Sequence, residues 1–200
     1  MTAPKSLLEM AGASLAPSAL DKAALVVIDA QLEYQTGGLP LKGIDAAVAE
    51  IGALLGLARN AGTPVFHVMH QGKAGAGLFD PEGPYFPIIP GVTPAAGEAV
   101  VKKPLPNSFA KTGLDELISK TGRKELIVAG FMTHLCVSTT TRAALDLGYR
   151  TTVVAAACAT RDLPSPMGGI ASAEMVHEAT LAALADRFAI VVPSTGAWTG

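Results

Sequence analysis

Ala24-Leu25-Val26-Val27-Ile28 is an unbroken apolar run, rich in β-branched residues and closed by Asp29. Such a run reads as a strand buried on both faces, which is the signature of a parallel sheet covered by helices above and below. Working outward from it, strand and helix alternate. Residues 44–60 carry Val48, Ile51, Leu55 and Ala58 at helical spacing, and Ala61-Gly62-Thr63-Pro64 stops that helix before a strand at 65–69. After a long irregular stretch, the same reading gives strands at 99–102, 125–129, 151–155 and 189–192, with helices at 112–120, 134–147 and 172–187. Connections of a few residues between most of these elements predict an α/β fold, a three-layer α/β/α sandwich with a mostly parallel sheet. Residues 1–22 contain two prolines and no clean period. They read as an N-terminal arm, with one helical turn around 6–10, ahead of a single domain at 23–200.

Composition narrows the function. The 200 residues carry 15 Lys+Arg against 17 Asp+Glu, and 50% are hydrophobic. The mean hydropathy is +0.39. Intrinsic disorder is excluded, since it needs few apolar residues and high net charge. A formal charge of −2 lacks the basic footprint of a nucleic-acid binder. No apolar run approaches the ~18 residues of a membrane span, so neither nucleic acid nor membrane is an expected partner. Two cysteines, Cys136 and Cys158, are too few for a disulfide framework, and the N-terminus has no signal-peptide pattern. The expected setting is reducing and cytoplasmic, with both thiols free.

In open α/β sheets, ligands bind beyond the carboxyl ends of the strands, near the point where strand order reverses. Asp29 ends the first strand, Lys103 ends the strand near residue 100, and Cys136 lies just beyond the strand at 125–129. Singly, each has a bland reading as a cap, a solvated charge and a small buried hydrophobe, and most buried cysteines are inert. Together at one sheet edge they make a set for acyl transfer: nucleophile, proton carrier and cationic partner. Cys136 falls at the start of a predicted helix, where the dipole and a nearby Lys103 favour a thiolate, and free N–H groups there can hold an oxyanion. Cys158, after a strand, reads as packing.

The segments Ile28-Asp29-Ala30-Gln31, Val101-Lys102-Lys103-Pro104 and Gly130-Phe131-Met132-Thr133-His134-Leu135-Cys136-Val137-Ser138-Thr139-Thr140 resemble the three signature stretches of the isochorismatase-like cysteine hydrolases. Later stretches at 157–162 and 184–189 are similar too, so the resemblance spans roughly residues 20–192. It implies a catalytic triad of Asp29, Lys103 and Cys136, and a Rossmann-like parallel sheet of about six strands. It also implies a non-proline cis peptide at Phe131–Met132, with the Met132 and Cys136 N–H groups forming an oxyanion hole. The detailed text looks most like the amidohydrolase branch that includes streptothricin-hydrolase-like proteins.

That resemblance implies a hydrolase cleaving a C–N bond of a small amide, ureido compound or lactam. Gln31, Phe109, Phe131 and His134 are its candidate substrate contacts, alongside the irregular stretch 71–94. Metal-dependent nicotinamidases of the superfamily carry an Asp-x-His stretch and a further His between the catalytic Asp and Lys. Here only His67 and His70 fall there. Three apart on a strand, they point to opposite faces, as a polar core or pocket-lining pair. Neither metal nor cofactor is expected. His177, Phe188 and Trp198 are candidate surface or subunit contacts of a homo-oligomer. Two other readings stay open: ether hydrolysis through Asp29, and a catalytically silent scaffold.

Overall fold

The computed structural model describes residues 3–199; Met1, Thr2 and Gly200, at the ends of the arm and of the domain read from the sequence, lie outside the described residues. The elements run α1 (Leu7–Met10), β1 (Ala23–Ile28), α2 (Ile44–Asn60), β2 (Val65–His70), β3 (Ala99–Lys103), α3 (Leu114–Lys120), β4 (Glu125–Phe131), a π-helical turn (Thr133–Val137), α4 (Ser138–Asp146), β5 (Arg150–Ala159), β6 (Leu163–Pro164), β7 (Ile170–Ala171), α5 (Ala173–Arg187) and β8 (Ile190–Val192). Six of the strands form one parallel sheet in the order β3-β2-β1-β4-β5-β8. The α/β/α sandwich expected from the sequence is the observed architecture.

β1 shows why the opening run has no polar alternation. Every one of its residues is buried, and successive side chains enter two different cores. Ala23, Leu25 and Val27 pack with Ile51, Leu54 and Leu55 of α2. Ala24, Val26 and Ile28 pack with Leu114 and Ile118 of α3, Ala144 of α4 and Leu184 of α5. Each fully buried Leu, Ile or Val contributes about 1.5–3 kcal/mol, so a strand buried on both faces anchors both layers.

The chain builds β2 and β3 on one side of β1, then returns to place β4, β5 and β8 on the other. The reversal lies between β1 and β4, where a ligand site is expected. Gly130 closes that seam. It pairs with Ile28, has φ +116°, and a Cβ added there would sit 2.0 Å from the Ile28 carbonyl oxygen.

Three local differences from the sequence reading have physical causes. β5 runs four residues past 155, because the pairing shifts between Val128 and Gly130 and brings Cys158 opposite Gly130. The extension is Ala156-Ala157-Cys158-Ala159, whose low β-propensity hides it. The helix predicted at 134–147 begins as the π-turn and becomes regular only at Ser138. The β6–β7 hairpin, two residues per strand, is too short to carry a period.

The arm lies on the domain. Ser6 caps α1, the Leu7 N–H donates to Asp186, and the Ser18 N–H donates to Thr152 Oγ1. Trp198 Nε1–H donates to the Ser18 carbonyl, so this side chain holds its own chain's arm.

Gly130→Ala forces a Cβ into the β1 backbone as well as straining φ. The expected loss is about 3 kcal/mol or more of unfolding free energy. Urea denaturation measures it, and a variant within 1 kcal/mol of the parent (about one-fifth of a marginal domain's stability) contradicts the close approach.

Candidate active site

The carboxyl ends of the strands deliver the three predicted catalytic residues to one point. Asp29 leaves β1 with φ +51°, a left-handed conformation that aspartate tolerates better than most residues. Lys103, two strands away at the end of β3, extends its side chain back across β2. Its Nζ lies 2.7 Å from Asp29 Oδ2 and 3.2 Å from Cys136 Sγ. Cys136 reaches the same point from the π-turn that follows β4. Asp29 and Lys103 are 0% exposed and Cys136 is 2% exposed, so the triad is shielded from bulk water.

Burial dominates the proton chemistry. It raises the Asp29 carboxyl above its ordinary value of 3.8, against the opposing pull of the Lys103 charge and of hydrogen bonding from Lys103 and Cys136. It pushes the Cys136 thiol up to about 12, aided by the Asp29 charge and opposed by Lys103. In sequence, the helix start and Lys103 favour a thiolate. In the enclosed site burial and Asp29 win, and the resting cysteine holds its proton. The site therefore sets a thiol of raised pKa beside the buried Lys103–Asp29 pair.

A fourth residue belongs to the cluster. His70 ends β2, pairs in register with Lys103, and brings Nδ1 to 3.3 Å from Lys103 Nζ. In sequence it pairs with His67, yet as a strand-end residue it also satisfies the sheet-edge rule that picks out Asp29 and Lys103. The two histidines do diverge: His67 Nε2 lies 3.0 Å from Glu98 Oε2. Among the described residues, no group of three or more His, Cys, Asp or Glu side chains is placed to hold a metal ion.

The predicted substrate contacts fare differently. Gln31 is fully buried, with its amide engaged by the backbone: Nε2 donates to the His70 and Phe86 carbonyls, and Oε1 accepts from the His70 N–H. It fastens the 71–94 stretch to the sheet edge instead of facing a substrate. Phe131 is 0% exposed and meets Tyr34 edge-on, so it is core. Phe109 stacks on Tyr149, which precedes β5 at the opposite end of the sheet, and so is turned away from the triad. His134 stays at the rim, half-buried, with Nδ1 2.6 Å from Thr160 Oγ1. Met132 opens the π-turn, and the Phe131–Met132 peptide is cis, as the resemblance implied. His177 is half-buried, 2.9 Å from Thr133 Oγ1 at the start of that turn, instead of projecting from a free helix surface.

Two residues without a motif hold the covering loop. Glu33 is buried, and its carboxylate accepts from the Gly38 and Phe79 N–H groups. Phe79, at φ +52°, sets its ring edge-on to His70 and Tyr34, at 5.0 and 5.2 Å. A bulky residue in that conformation is a genuine outlier, held here by the clamp on its own amide.

The pattern of the isochorismatase domain matches residues 23–195. The chain belongs to the isochorismatase family. An isochorismatase crystal structure from Pseudomonas putida KT2440 superposes with a TM-score of 0.92 and 45% identity, covering 97% of this chain and 99% of the other. A secreted isochorismatase effector of Verticillium dahliae is 39% identical over 189 residues, 94% of this chain and 97% of that protein. A streptothricin hydrolase of Streptomyces noursei is 34% identical over 170 residues, 84% of this chain and 61% of that protein. Further relatives carry amidohydrolase names, maleamate amidohydrolase of P. putida among them. This is a family of hydrolases.

Lys103→Met leaves Asp29 buried without its cation and raises its folded-state pKa further above the unfolded value. The stability deficit is then smallest at low pH, where Asp29 is protonated in both states. It grows as pH rises through the folded value. Urea unfolding at pH 4 and pH 8 should show a deficit of about 3–5 kcal/mol at pH 8 and a smaller one at pH 4. Equal deficits would remove the ion pair from the account.

Proposed function

We propose that the protein is a metal-independent cysteine amidohydrolase acting on a C–N bond of a small amide, ureido compound or lactam. The observation that carries this reading is the Lys103 ammonium held between the Asp29 carboxylate and the Cys136 thiol, at 2.7 and 3.2 Å, in a buried site. In the first step Cys136 gives its proton to Asp29 and attacks the amide carbonyl carbon. The buried charge stays balanced, because the negative charge moves from one partner of Lys103 to the other while the ammonium remains. The Met132 and Cys136 N–H groups hold the tetrahedral oxyanion. Asp29 then protonates the leaving nitrogen, the C–N bond breaks, and a thioester remains on Cys136. Asp29 next takes a proton from water, the hydroxide adds to the thioester, the C–S bond breaks to release the acid, and Asp29 returns the proton to the Cys136 sulfur.

A raised Asp29 pKa suits this double duty, since a group that takes and returns a proton works best with a pKa near the operating pH. The reading as metal-independent rests on the separate partners of the two histidines on β2, Glu98 for His67 and Lys103 for His70. The same raised pKa favours a second reading, in which Asp29 protonates an ether oxygen and Cys136 makes no covalent bond. We further infer a homo-oligomer in the cytoplasm that engages neither nucleic acid nor membrane. Both cysteines are free thiols, and no described helix is long and apolar enough to cross a membrane. Sedimentation velocity tests the oligomer.

A hydrolysis screen, reading ammonia release from primary amides and ureido compounds and the ring-opened amino acid from lactams, should find a substrate that the parent turns over. Cys136→Ala should lower that turnover by about 10⁴-fold or more, with an unchanged circular dichroism spectrum. The acid limb of kcat/KM should lie above the ordinary carboxylate range, because Asp29 must be ionised to accept the thiol proton. Full turnover by Cys136→Ala sinks the covalent mechanism and leaves the ether-type reading.

A further inference from the structure

The Lys103 ammonium has three protons and sits where no water can take one. Asp29 Oδ2 and Cys136 Sγ account for two directions, and both are needed by the reaction. A buried N–H left over would be costly, about 1–3 kcal/mol and more for a charged donor. It would also leave the head of a flexible four-carbon chain free to turn.

The third direction is occupied. His70 Nδ1 lies 3.3 Å from Nζ, and β2 and β3 place the two residues opposite one another in register. An ammonium is a donor only, so Nδ1 accepts and the imidazole proton resides on Nε2. Burial and the adjacent Lys103 charge lower the His70 pKa to about 4, so the ring is neutral and able to accept at working pH. The ring is itself held. Its backbone N–H donates to Gln31 Oε1, its carbonyl accepts from Gln31 Nε2, and Phe79 abuts its edge. The titratable group facing it is Lys103 from β3, which in turn meets Asp29 beyond β1 and Cys136 from the π-turn. Glu33 lies across Phe79, engaged by the Phe79 and Gly38 amides.

We propose that His70 is the positioning residue of this site: as the third acceptor of the Lys103 ammonium, it aims the other two N–H bonds at the carboxylate and the thiol while the proton passes between them. His70 touches no reacting atom and acts through Lys103. The inference rests on the reading of Cys136 as nucleophile, but its test does not require a substrate. It also supplies a reason for the saturated amide of Gln31, a candidate substrate contact in sequence. That amide fixes the backbone that carries the ring.

Two measurements decide it. In protein labelled with ¹⁵N-histidine, His70 should show the Nε2–H tautomer and stay neutral from pH 8 to pH 5. A proton on Nδ1 overturns the proposal. Iodoacetamide alkylation of Cys136, followed by mass spectrometry at pH 8, should slow about tenfold in His70→Leu, the equivalent of one pKa unit on the thiol. His70→Asn, whose Oδ1 can stand where Nδ1 stood, should recover to within about threefold of the parent, by less than half a pKa unit of residual shift. Folded His70→Leu that alkylates at the parent rate overturns it, as does failure of Asn to rescue where Leu has slowed. Where a substrate is in hand, His70→Leu should lower kcat with little change in KM. An amide screen that finds nothing defeats the proposed substrate class and leaves the tautomer and alkylation results to stand by themselves.

Discussion

An ammonium and a carboxylate 2.7 Å apart and fully buried are expensive to place, since each ion gives up several kcal/mol of hydration before their attraction returns any of it. Much of the architecture around this pair can be understood as what keeps it together. The charges come from strands on either side of β2, so the sheet must hold β1, β2 and β3 in strict parallel register. The remaining donors of Lys103 must meet acceptors, and Cys136 Sγ and His70 Nδ1 supply them. Water must also stay out, which brings in the loop between β2 and β3.

That loop is tied down by polar residues that the sequence marks only weakly. Gln31 fastens it through the Phe86 carbonyl, Glu33 through the Phe79 amide, and Leu32 donates its N–H to the Pro87 carbonyl. All three anchors stand within four residues of Asp29, so one short segment carries the buried Asp29 carboxylate and the fastenings of its cover. On the other flank Gly130 lets β4 approach β1 closely enough for the π-turn to bring Cys136 over the pair. The rise of the thiol pKa to about 12 follows from this enclosure.

The layer order and the triad were legible because they depend on local signals. A doubly buried strand has a run of Val and Ile, a helix has its 3.6-residue period, and residues closing strands fall at one edge of a parallel sheet whatever the loops do. The substrate contacts were less legible, because side-chain direction in a loop or turn depends on packing that no period records. Phe109 and Phe131 are large and stand beside the motifs, but one stacks on Tyr149 and the other fills the core. His70 was visible as a histidine near a strand end, yet its partner lies 33 residues away and is chosen by the β2–β3 register.

The sequence by itself determined the α/β sandwich and the meeting of Asp29, Lys103 and Cys136 at one edge of the sheet, because hydrophobic periodicity and strand ends are written in consecutive residues. The tertiary structure alone decided that burial pushes the thiol's pKa up, that Gln31 and Glu33 hold the cover and that His70 meets Lys103. Each of these depends on burial and on distances between segments far apart in the chain, and a protonation state or a third hydrogen-bond acceptor exists only once those segments meet.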